Sequence, residues 1–507
     1  MRIVDLTVDK EGNKDDKASI GVAVELLNSI KEWRSRAVER IDLTSASWAD
    51  RRRSIQVEPL RGHIKTPKLL PHHKKATLWL PVGNFPKGPL LDFNLEVAGE
   101  RPLLLRMNKH CNIFAQRIAF LATKADIPIS SEIEKFLEAI FCFTTASWQE
   151  LHRERRLSPE ARQECVLKYL KKYPIGGFPD GQLSPGLVRY WDQKIEPIRN
   201  LVELRMVPTI DNASANPLLA LRGAASISNK ESNPLLLDDE RKVEQVLDAL
   251  IDFLIAAYRK AKMNNAEAHK ILIHYASYGD HWDAIAECTV PVDEPFLIKT
   301  AEKRGLHLGE PGEVASSHSK PRGWFQDRSS SQLVVWGDAQ SNHVNIRVTD
   351  TNVELKVKRL RALTERHRVV NELPLYYEAT PEFIGFYDSG RKRYFRLWID
   401  LPLRSSAVAT ISRVVILGLI ASALIAFGFF VFHWFDVGSG TMMSGTDVAV
   451  ILIPSAIAAS LLLIRESSTL STELNKASSM ATAMVLAVLW VCTLVAYAAQ
   501  RIEWSVQ

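Results

Sequence analysis

The sequence predicts an α+β body followed by a C-terminal module of three transmembrane helices. Three observations carry this prediction: alternating apolar and polar runs at 76–106 and 333–399, a helical pattern between them, and uncharged apolar runs after residue 412. Short alternating runs separated by turn residues are typical of antiparallel strands. The body is therefore expected to contain an antiparallel sheet or sandwich with a helical insertion, and a joint sandwich of both β regions is the preferred arrangement.

The charges divide the chain into two parts. Residues 404–507 contain five basic and five acidic residues, so the other 403 residues, with 59 basic and 53 acidic, carry the whole net charge of +6. Contents of 24 Gly, 24 Pro and 5 Cys among 507 residues exclude a collagen, a disulfide-rich miniprotein and a disordered chain. A charged, folded body and a nearly neutral C-terminal module follow from this distribution.

The three membrane spans are predicted at 414–432, 448–464 and 480–499. The first has 19 uncharged residues, which at about 1.5 Å per residue reach about 28 Å, close to the roughly 30 Å of a hydrocarbon core. The second has 17 residues and contains Pro454, and the third has 20 with Tyr497 and Trp504 available near an interface. The alternative for each run is a buried helix of a soluble domain.

Basic residues in the short flanks predict the orientation of these spans. Several precede the first span, none lies in the loop at 433–447, and Arg465 and Lys476 lie in the second loop. Residues 1–17 contain no continuous apolar core, so no signal peptide is expected. The expected location is the inner (plasma) membrane, with the N-terminus and the body in the cytoplasm and the C-terminus outside.

Cations next to the first span are candidates for contact with the anionic inner leaflet. They are Arg391, Lys392, Arg393 and Arg413. The alternative is ordinary solvation of strand ends. The basic stretch at 50–75 is expected to be a solvated loop, and it contains no aromatic residue that could stack on bases, so no nucleic acid partner is expected.

Small residues form a stripe along the first span at a spacing of four, comprising Gly418, Ser422 and Ala426. Such stripes allow close packing of helices, either within one chain or between protomers of a homo-oligomer. The spans contain no Asp, Glu, Lys or Arg, which makes ion-coupled transport an unexpected function and leaves a passive pore open.

The pattern divides the body and module into five regions. Region 1–50 contains an amphipathic helix at 20–41, and 51–106 contains the basic loop and the first β region. Region 107–300 is helical, 320–403 is a second β region near the membrane, and 412–507 contains the spans. The helices are expected at 131–156, 158–173, 184–206, 239–262 and 268–288, the last with a break near Gly279. Polar linkers are expected at 211–238 and 309–322.

Sequence motifs for phosphate binding, dinucleotide binding, a nucleophile elbow or a zinc protease are absent from the sequence. The densest group of candidate metal or acid/base residues is His269, His274, Asp280, His281 and Asp283. Histidines five residues apart share a helical face poorly, so these are interpreted as residues at a helix end. No catalytic residue, cofactor or metal is expected.

Two further pairs of adjacent residues that contain histidine are interpreted as structural. His110 and Cys111 begin an apolar helix, so Cys111 is expected in the core rather than as a nucleophile, and His72 with His73 is expected in a loop. The five cysteines should lie in reducing solvent or lipid, which implies no disulfide framework.

Residues 337–346, together with 394–401 leading into the first span, resemble the β region of uncharacterised bacterial membrane proteins that end in several transmembrane helices. The resemblance covers about a quarter of the chain. Asn342 stands where that pattern often has an aromatic residue between the serine and the histidine. The resemblance implies this architecture and a bacterial origin, and it implies no activity.

The functional expectation is a non-enzymatic multi-pass membrane protein whose body acts as a sensor, scaffold or signalling component with an unidentified protein partner. The alternative is an oligomeric pore or membrane-disrupting effector, for instance in bacterial defence, gated by the body. A third hypothesis, an enzyme using His274, His281 and Asp280, requires a deep pocket that unites them.

Overall fold

A computed structural model describes a large part of this chain. The described residues are 13–64, 74–86, 90–141, 186, 240–277, 281–305, 308–309, 328–355, 361–363, 376–388, 396–405, 407–434, 453, 455–458, 460 and 469–504. They form a mixed structure of helices and predominantly antiparallel sheets, so the coarse prediction of an α+β body is confirmed.

The helices lie in three parts of the chain. Near the N-terminus are α1 (Asn13–Asn28) and α2 (Ile30–Trp33), and the middle contains α3 (Met107–Lys124), α4 (Ser131–Phe141), α5 (Glu240–Lys262) and α6 (Ala266–Ser277). The C-terminal part contains α7 (Ala407–Trp434) and α8 (Thr469–Trp504), and positions 453, 455–458 and 460 between them are also helical.

The strands form three sheets. In chain order they are β1 (Arg34–Leu43), β2 (Trp48–Val57), β3 (Lys75–Pro86), β4 (Leu90–Val97), β5 (Leu103–Leu104), β6 (His281–Pro291), β7 (Phe296–Gly305), β8 (Leu308–Gly309), β9 (Arg328–Val335), β10 (Ser341–Val348), β11 (Val353–Leu355), β12 (Arg361–Leu363), β13 (Tyr376–Ala379), β14 (Phe383–Asp388) and β15 (Arg396–Ser405). The large sheet has the order β13-β14-β10-β1-β2-β7-β4. The second sheet has the order β11-β15-β9-β8 with β12 also on β15, and the third sheet has the order β3-β6-β5.

Strands from both predicted β regions lie in the large sheet. Its centre is the parallel pair β1 and β10, in register from Arg36 opposite Ser341 to Leu43 opposite Val348. The other neighbours in this sheet pair antiparallel. Because β1 and β10 are about 300 residues apart in sequence, this pairing ties the two ends of the body together.

One face of the large sheet covers both smaller sheets, and two hydrophobic cores result. In the first core, Ala37 and Ile55 of the large sheet pack against Leu78 and Ala286 of the third sheet. In the second core, large-sheet residues including Ile41 pack against the second sheet. Helices α1 and α3 cover the opposite face of the third sheet.

The expected amphipathic helix at 20–41 is wrong in its second half. The helical part ends at Trp33, and β1 begins at Arg34. The apolar positions Ala37, Ile41 and Leu43 are buried in the sheet cores. Strand spacing of apolar residues here coincides over a short stretch with helical spacing, and pairing with β2 and β10 selects the strand.

The expected basic loop at 50–75 is wrong for its first part, because residues 48–57 form β2. Arg51, Arg53, Ile55 and Val57 alternate with Asp50, Arg52, Ser54 and Gln56, and the first set faces the interior. Because Arg51 and Arg53 occupy two of the inward positions, the alternation of a strand resembles a solvated run of charges. Residues 65–73, with His72 and His73, lie outside the described residues.

The predicted helix at 268–288 is wrong beyond Ser277. Residues 281–291 and 296–305 form β6 and β7 inside the stretch 107–300 that was expected to be helical. Strand β6 is the middle strand of the third sheet and pairs with β3 and β5. Its partners come from about 200 residues earlier, so the local sequence could not show them.

Other elements agree with the predictions. Strands β3 to β5 occupy the first β region, and their turn has positive φ at Ala98 and Gly99, as a tight hairpin turn requires. Helix α5 and the strands β9 to β11 and β13 to β15 lie where the patterns place them. The predicted helix at 158–173, all of the one at 184–206 except residue 186, and nearly all of both linkers lie outside the described residues.

Helices α7 and α8 contain the first and third predicted spans and pack against each other. Counting only the residues that the structure describes, no helix is long and apolar enough to cross a membrane.

Candidate functional site

A buried network of charged side chains lies between the two cores. It comprises Arg34, Glu39, Arg51, Arg53, Glu302, Arg304 and Asp338, and we call it the charge network. The strand alternation explains its position, because Glu39 lies between Ala37 of the first core and Ile41 of the second. The network therefore occupies the line along which the second and third sheets meet the large sheet.

Two carboxylates hold the arginines of the network together. Asp338, 1% exposed, accepts hydrogen bonds from Arg34 Nη1 at 3.0 Å and from Arg53 Nη2. Glu39 accepts from Arg51 and, through its other oxygen, from Arg53 Nη1 at 3.1 Å. Arg53 thus joins both carboxylates, and a chain of alternating charges results.

A third carboxylate extends the network to β7. Glu302 lies 3.6 Å from Arg51 Nε and accepts from Arg304 Nη2 at 2.6 Å. Both residues belong to the strand that pairs with β2. The charge network is therefore continuous across β1, β2 and β7.

The same arginines also bond to backbone carbonyls at the edges of the two smaller sheets. Arg34 donates to the Pro81 carbonyl at 2.7 Å, and β3 is an edge strand of the third sheet. Arg51 donates to the Leu333 carbonyl at 2.8 Å on β9, at a point beyond the part of β9 that pairs with β8 among the described strands. Buried edge carbonyls require partners, and the guanidinium groups supply them.

The surroundings shift the pKa values of two of these arginines in opposite directions. Burial lowers the pKa of Arg34 to about 10, although Asp338 opposes the shift. Burial also acts against the charge of Arg51, but Glu39 and Glu302 outweigh it and raise the pKa of Arg51. Both side chains are therefore cationic at neutral pH.

A cavity of about 20 Å³ lies beside the network, lined by residues that include Glu39, Arg51, Asn84 and Thr300. A polar space of this size can hold about one water molecule. The contacts of the charge network are therefore contacts within the protein, between strands of its three sheets.

A second polar cluster lies between α1, α3 and the third sheet. Arg117 donates to Asp283 at 3.2 Å and to the Leu27 carbonyl at 3.0 Å, and Asn84 also donates to Asp283. His110 Nε2 accepts the Ile285 N–H at 2.9 Å. This acceptor role requires an unprotonated Nε2, and burial lowers the pKa of His110.

The described residues among the five considered for a metal site are divided between α6 and β6. His269 lies on α6 at an exposed position, whereas Asp283 lies on β6 and contacts Arg117. Asp280 lies outside the described residues, and His274 and His281 lie on different elements. Within the described ranges, no group of three or more His, Cys, Asp or Glu could hold a metal ion.

The two described body cysteines have core environments. Cys111 is 1% exposed on α3, as the helical pattern predicts. Burial raises the pKa of the Cys288 thiol to about 12, and the charges of Glu287 and Glu100 act in the same direction. A thiol with this pKa is not a nucleophile at neutral pH.

We call α7, α8 and the helical positions between them the helical module. Many of its large apolar side chains are exposed. Exposed examples are Leu417 at 67% and Leu424 at 66% on α7, with Ile457, Val491 and Leu494 elsewhere in the module. The hydroxyl side chains of Ser422, Ser455 and Thr482 are buried, whereas that of Ser460 is exposed. This distribution is the reverse of that in a water-exposed helix pair.

The proposed packing stripe can be placed in part. Ser422 is buried beside Leu419, which packs with Leu489 of α8, and Gly418 is half-buried on the same helix. The side chain of Ala426 lies outside the described residues. The burial of Ser422 within a single chain favours packing of the stripe inside the module.

The proposed headgroup contacts cannot be placed. Residues Arg391, Lys392 and Arg393 lie outside the described residues, and so does the side chain of Arg413 in α7.

Sequence reasoning missed the charge network, although a signal was present. Arg51 and Arg53 share the period of two with Ile55 and Val57, which indicates that they face the same side of a strand. Glu39 has the same relation to Ala37 and Ile41. Their partners Asp338 and Glu302 are too distant in sequence to be recognised.

Substitution of Asp338 tests the charge network. Asp338→Asn leaves the buried guanidinium groups of Arg34 and Arg53 without their shared countercharge, so we expect a loss of about 3–5 kcal/mol in the free energy of unfolding. The control is Glu96→Gln in the exposed pair with Lys299, which should cost less than about 1 kcal/mol. Denaturant unfolding of the purified chain measures both, and equal small losses would contradict the role of the network.

The environment of His110 predicts a pH dependence. Its folded pKa is lowered by burial, so the unfolded chain binds the proton first as the pH falls below about 6.5. Stability is therefore full above that pH and decreases below it, until the folded imidazole also becomes protonated. We expect the denaturant concentration at the midpoint of unfolding to decrease as the pH is lowered from about 7 to about 5. The decrease should be smaller in His110→Gln.

The control for this prediction is Met263→Gln, which changes an exposed side chain without adding or removing an ionisable group. It should leave the slope of stability against pH unchanged. Burial and the charge of Arg36 also lower the pKa of His343, so some slope should persist in His110→Gln. A slope identical to that of the unsubstituted chain would show that His110 does not contribute.

Comparisons of the chain with protein-family models, with curated proteins and with solved structures found no match.

Proposed function

We propose that this chain is a non-enzymatic, multi-pass protein of the inner membrane, whose α+β body lies in the cytoplasm and acts as a sensor or scaffold for the helical module. The observation that carries the proposal is the surface of that module, which exposes large apolar side chains such as Leu417 and Leu424 and buries the hydroxyl groups of Ser422, Ser455 and Thr482. In water this surface would be costly, because exposed apolar area is unfavourable by roughly 25 cal/mol per Å². In lipid it is the favourable arrangement.

The sequence of the module supports the same proposal. Residues 414–432 contain no charged side chain, and they lie within the 28 residues of α7. Helix α8 has 36 residues, or about 54 Å at 1.5 Å per residue. The apolar run 480–499 occupies only its second part, which leaves its first turns for contact with the body.

Within the described part of the body, several ionisable side chains serve structural contacts, which supports a scaffolding role. The carboxylates Glu39 and Asp338 bind buried arginines, Asp283 binds Arg117, and His110 caps a backbone N–H. Groups engaged in this way stabilise the fold and are not available to a substrate.

The alternative, an oligomeric pore gated by the body, would need hydroxyl groups that face a shared channel. Ser422, Ser455 and Thr482 are instead buried within one chain. Ion flux through liposomes containing the purified chain would favour the pore over the sensor or scaffold.

Membrane integration is tested with charged substitutions on the outer surface of α7. The unsubstituted chain should resist alkaline carbonate extraction and float with liposomes. Leu417→Lys with Leu424→Lys places two cations in lipid, at roughly 2.5–3.5 kcal/mol each near a span centre, and should reduce integration strongly. The matched control is Leu91→Lys with Leu103→Lys, which charges two exposed leucines of the body and should have no effect. Equal extraction of the helix variant and the control would contradict the proposal.

Orientation is tested by cysteine labelling in intact cells. A membrane-impermeant maleimide added from outside should label Ser439→Cys in the first loop and should not label Ser468→Cys before α8. After permeabilisation both should react. Labelling of Ser468→Cys alone from outside would reverse the proposed topology.

A further inference from the structure

The second sheet contacts the N-terminal ends of α7 and α8, which we call the roots of these helices. We infer that through this attachment the body controls how α7 and α8 pack. The inference rests on the proposed function and adds a mechanism of regulation to it. We call the attachment the root clamp, formed by Asp350, β11, Thr469, Leu470 and Ser471.

The root of α8 is embedded in the body. Leu470 is 0% exposed and belongs to the second core, where Leu474 packs one turn later. The Ser471 N–H donates to Asp350 Oδ2 at 3.2 Å, and the Ala46 N–H donates to Thr469 Oγ1 at 3.2 Å. The first turn of the helix is therefore held by an apolar anchor and by two hydrogen bonds, one to the segment between β1 and β2 and one to the segment between β10 and β11.

The carboxylate of Asp350 is itself fixed by the turn that leads to β11. Its Oδ1 accepts the Asn352 N–H at 2.9 Å, and its backbone carbonyl accepts the Val353 N–H at 3.1 Å. A carboxylate at a helix N-terminus satisfies a free N–H and interacts favourably with the helix dipole. Asp350 thus caps α8 from a rigid position.

The root of α7 follows β15, the strand that pairs with β11. Helix α7 begins at Ala407, directly after β15 ends at Ser405 with one residue between them. Strand β11 pairs with this end of β15, with Val353 opposite Ser405 and Leu355 opposite Leu403. The segment 350–355 therefore contacts the roots of both helices, one through a carboxylate and the other through a strand ladder.

This geometry couples the body to the packing of the helix pair. Leu419 of α7 and Leu489 of α8 pack together, and Ser422 lies buried beside them. Each helix is continuous from its root to this contact. A shift of the second sheet moves both roots together, whereas withdrawal of Leu470 from the second core releases α8 alone and changes the helix contact.

The test uses two readouts on the full chain in detergent or nanodiscs. Leu470→Ala and Asp350→Ala should each accelerate hydrogen exchange of the amides in 469–475, by roughly fivefold or more, since they remove an apolar anchor or a cap. Exchange in β7, within the large sheet, should not change. The matched control is Met480→Ala, which truncates an exposed side chain on the same helix.

The second readout distinguishes coupling from local fraying. In the background of Ser422→Cys, either root variant should increase the rate at which a small maleimide labels the buried thiol several-fold. Faster exchange at 469–475 with unchanged labelling would overturn the coupling, and exchange that rises equally in β7 would show general destabilisation instead. Neither readout requires insertion in lipid, so failure of the flotation experiment would reject the membrane proposal separately.

Discussion

The body depends on the bonds between buried arginines and the edge carbonyls of two sheets. The large sheet covers both smaller sheets with one face, so the edges of β3 and β9 meet inside the protein. An apolar side chain there would leave carbonyl groups unsatisfied at a cost of roughly 1–3 kcal/mol each. Arg34 and Arg51 donate hydrogen bonds to those carbonyls. Asp338 and Glu39 balance the positive charges of the two guanidinium groups.

Such a network determines how the sheets are positioned against each other more than it adds to the free energy of unfolding. Desolvation of buried ions offsets much of their attraction, so a well-packed apolar replacement is often as stable. The arginines, however, fix which carbonyls of the two smaller sheets face β1 and β2. A slip of one residue in β2 would turn Arg51 and Arg53 to the opposite face of the large sheet and would abolish these contacts.

The module and the body follow opposite rules for burial. In the body, apolar side chains fill two cores. In the module, Leu417 and Leu424 are exposed, whereas Ser422 and Ser455 are buried. The meeting point of these two regimes is Leu470, which begins α8 and yet belongs to the second core. That residue joins the helical module to the core of the body.

The sequence by itself determined the features that depend on local period and composition. The turn at Ala98 and Gly99, helix α5 and the strands near the module all follow from neighbours within a few residues. Tertiary structure decided where local patterns are ambiguous: β1 is a strand because β2 and β10 offer partners, and β6 because β3 does. It also decided the charge network, since Arg34 and Asp338 are 304 residues apart and only folding brings opposite charges from such distances into one dry interface.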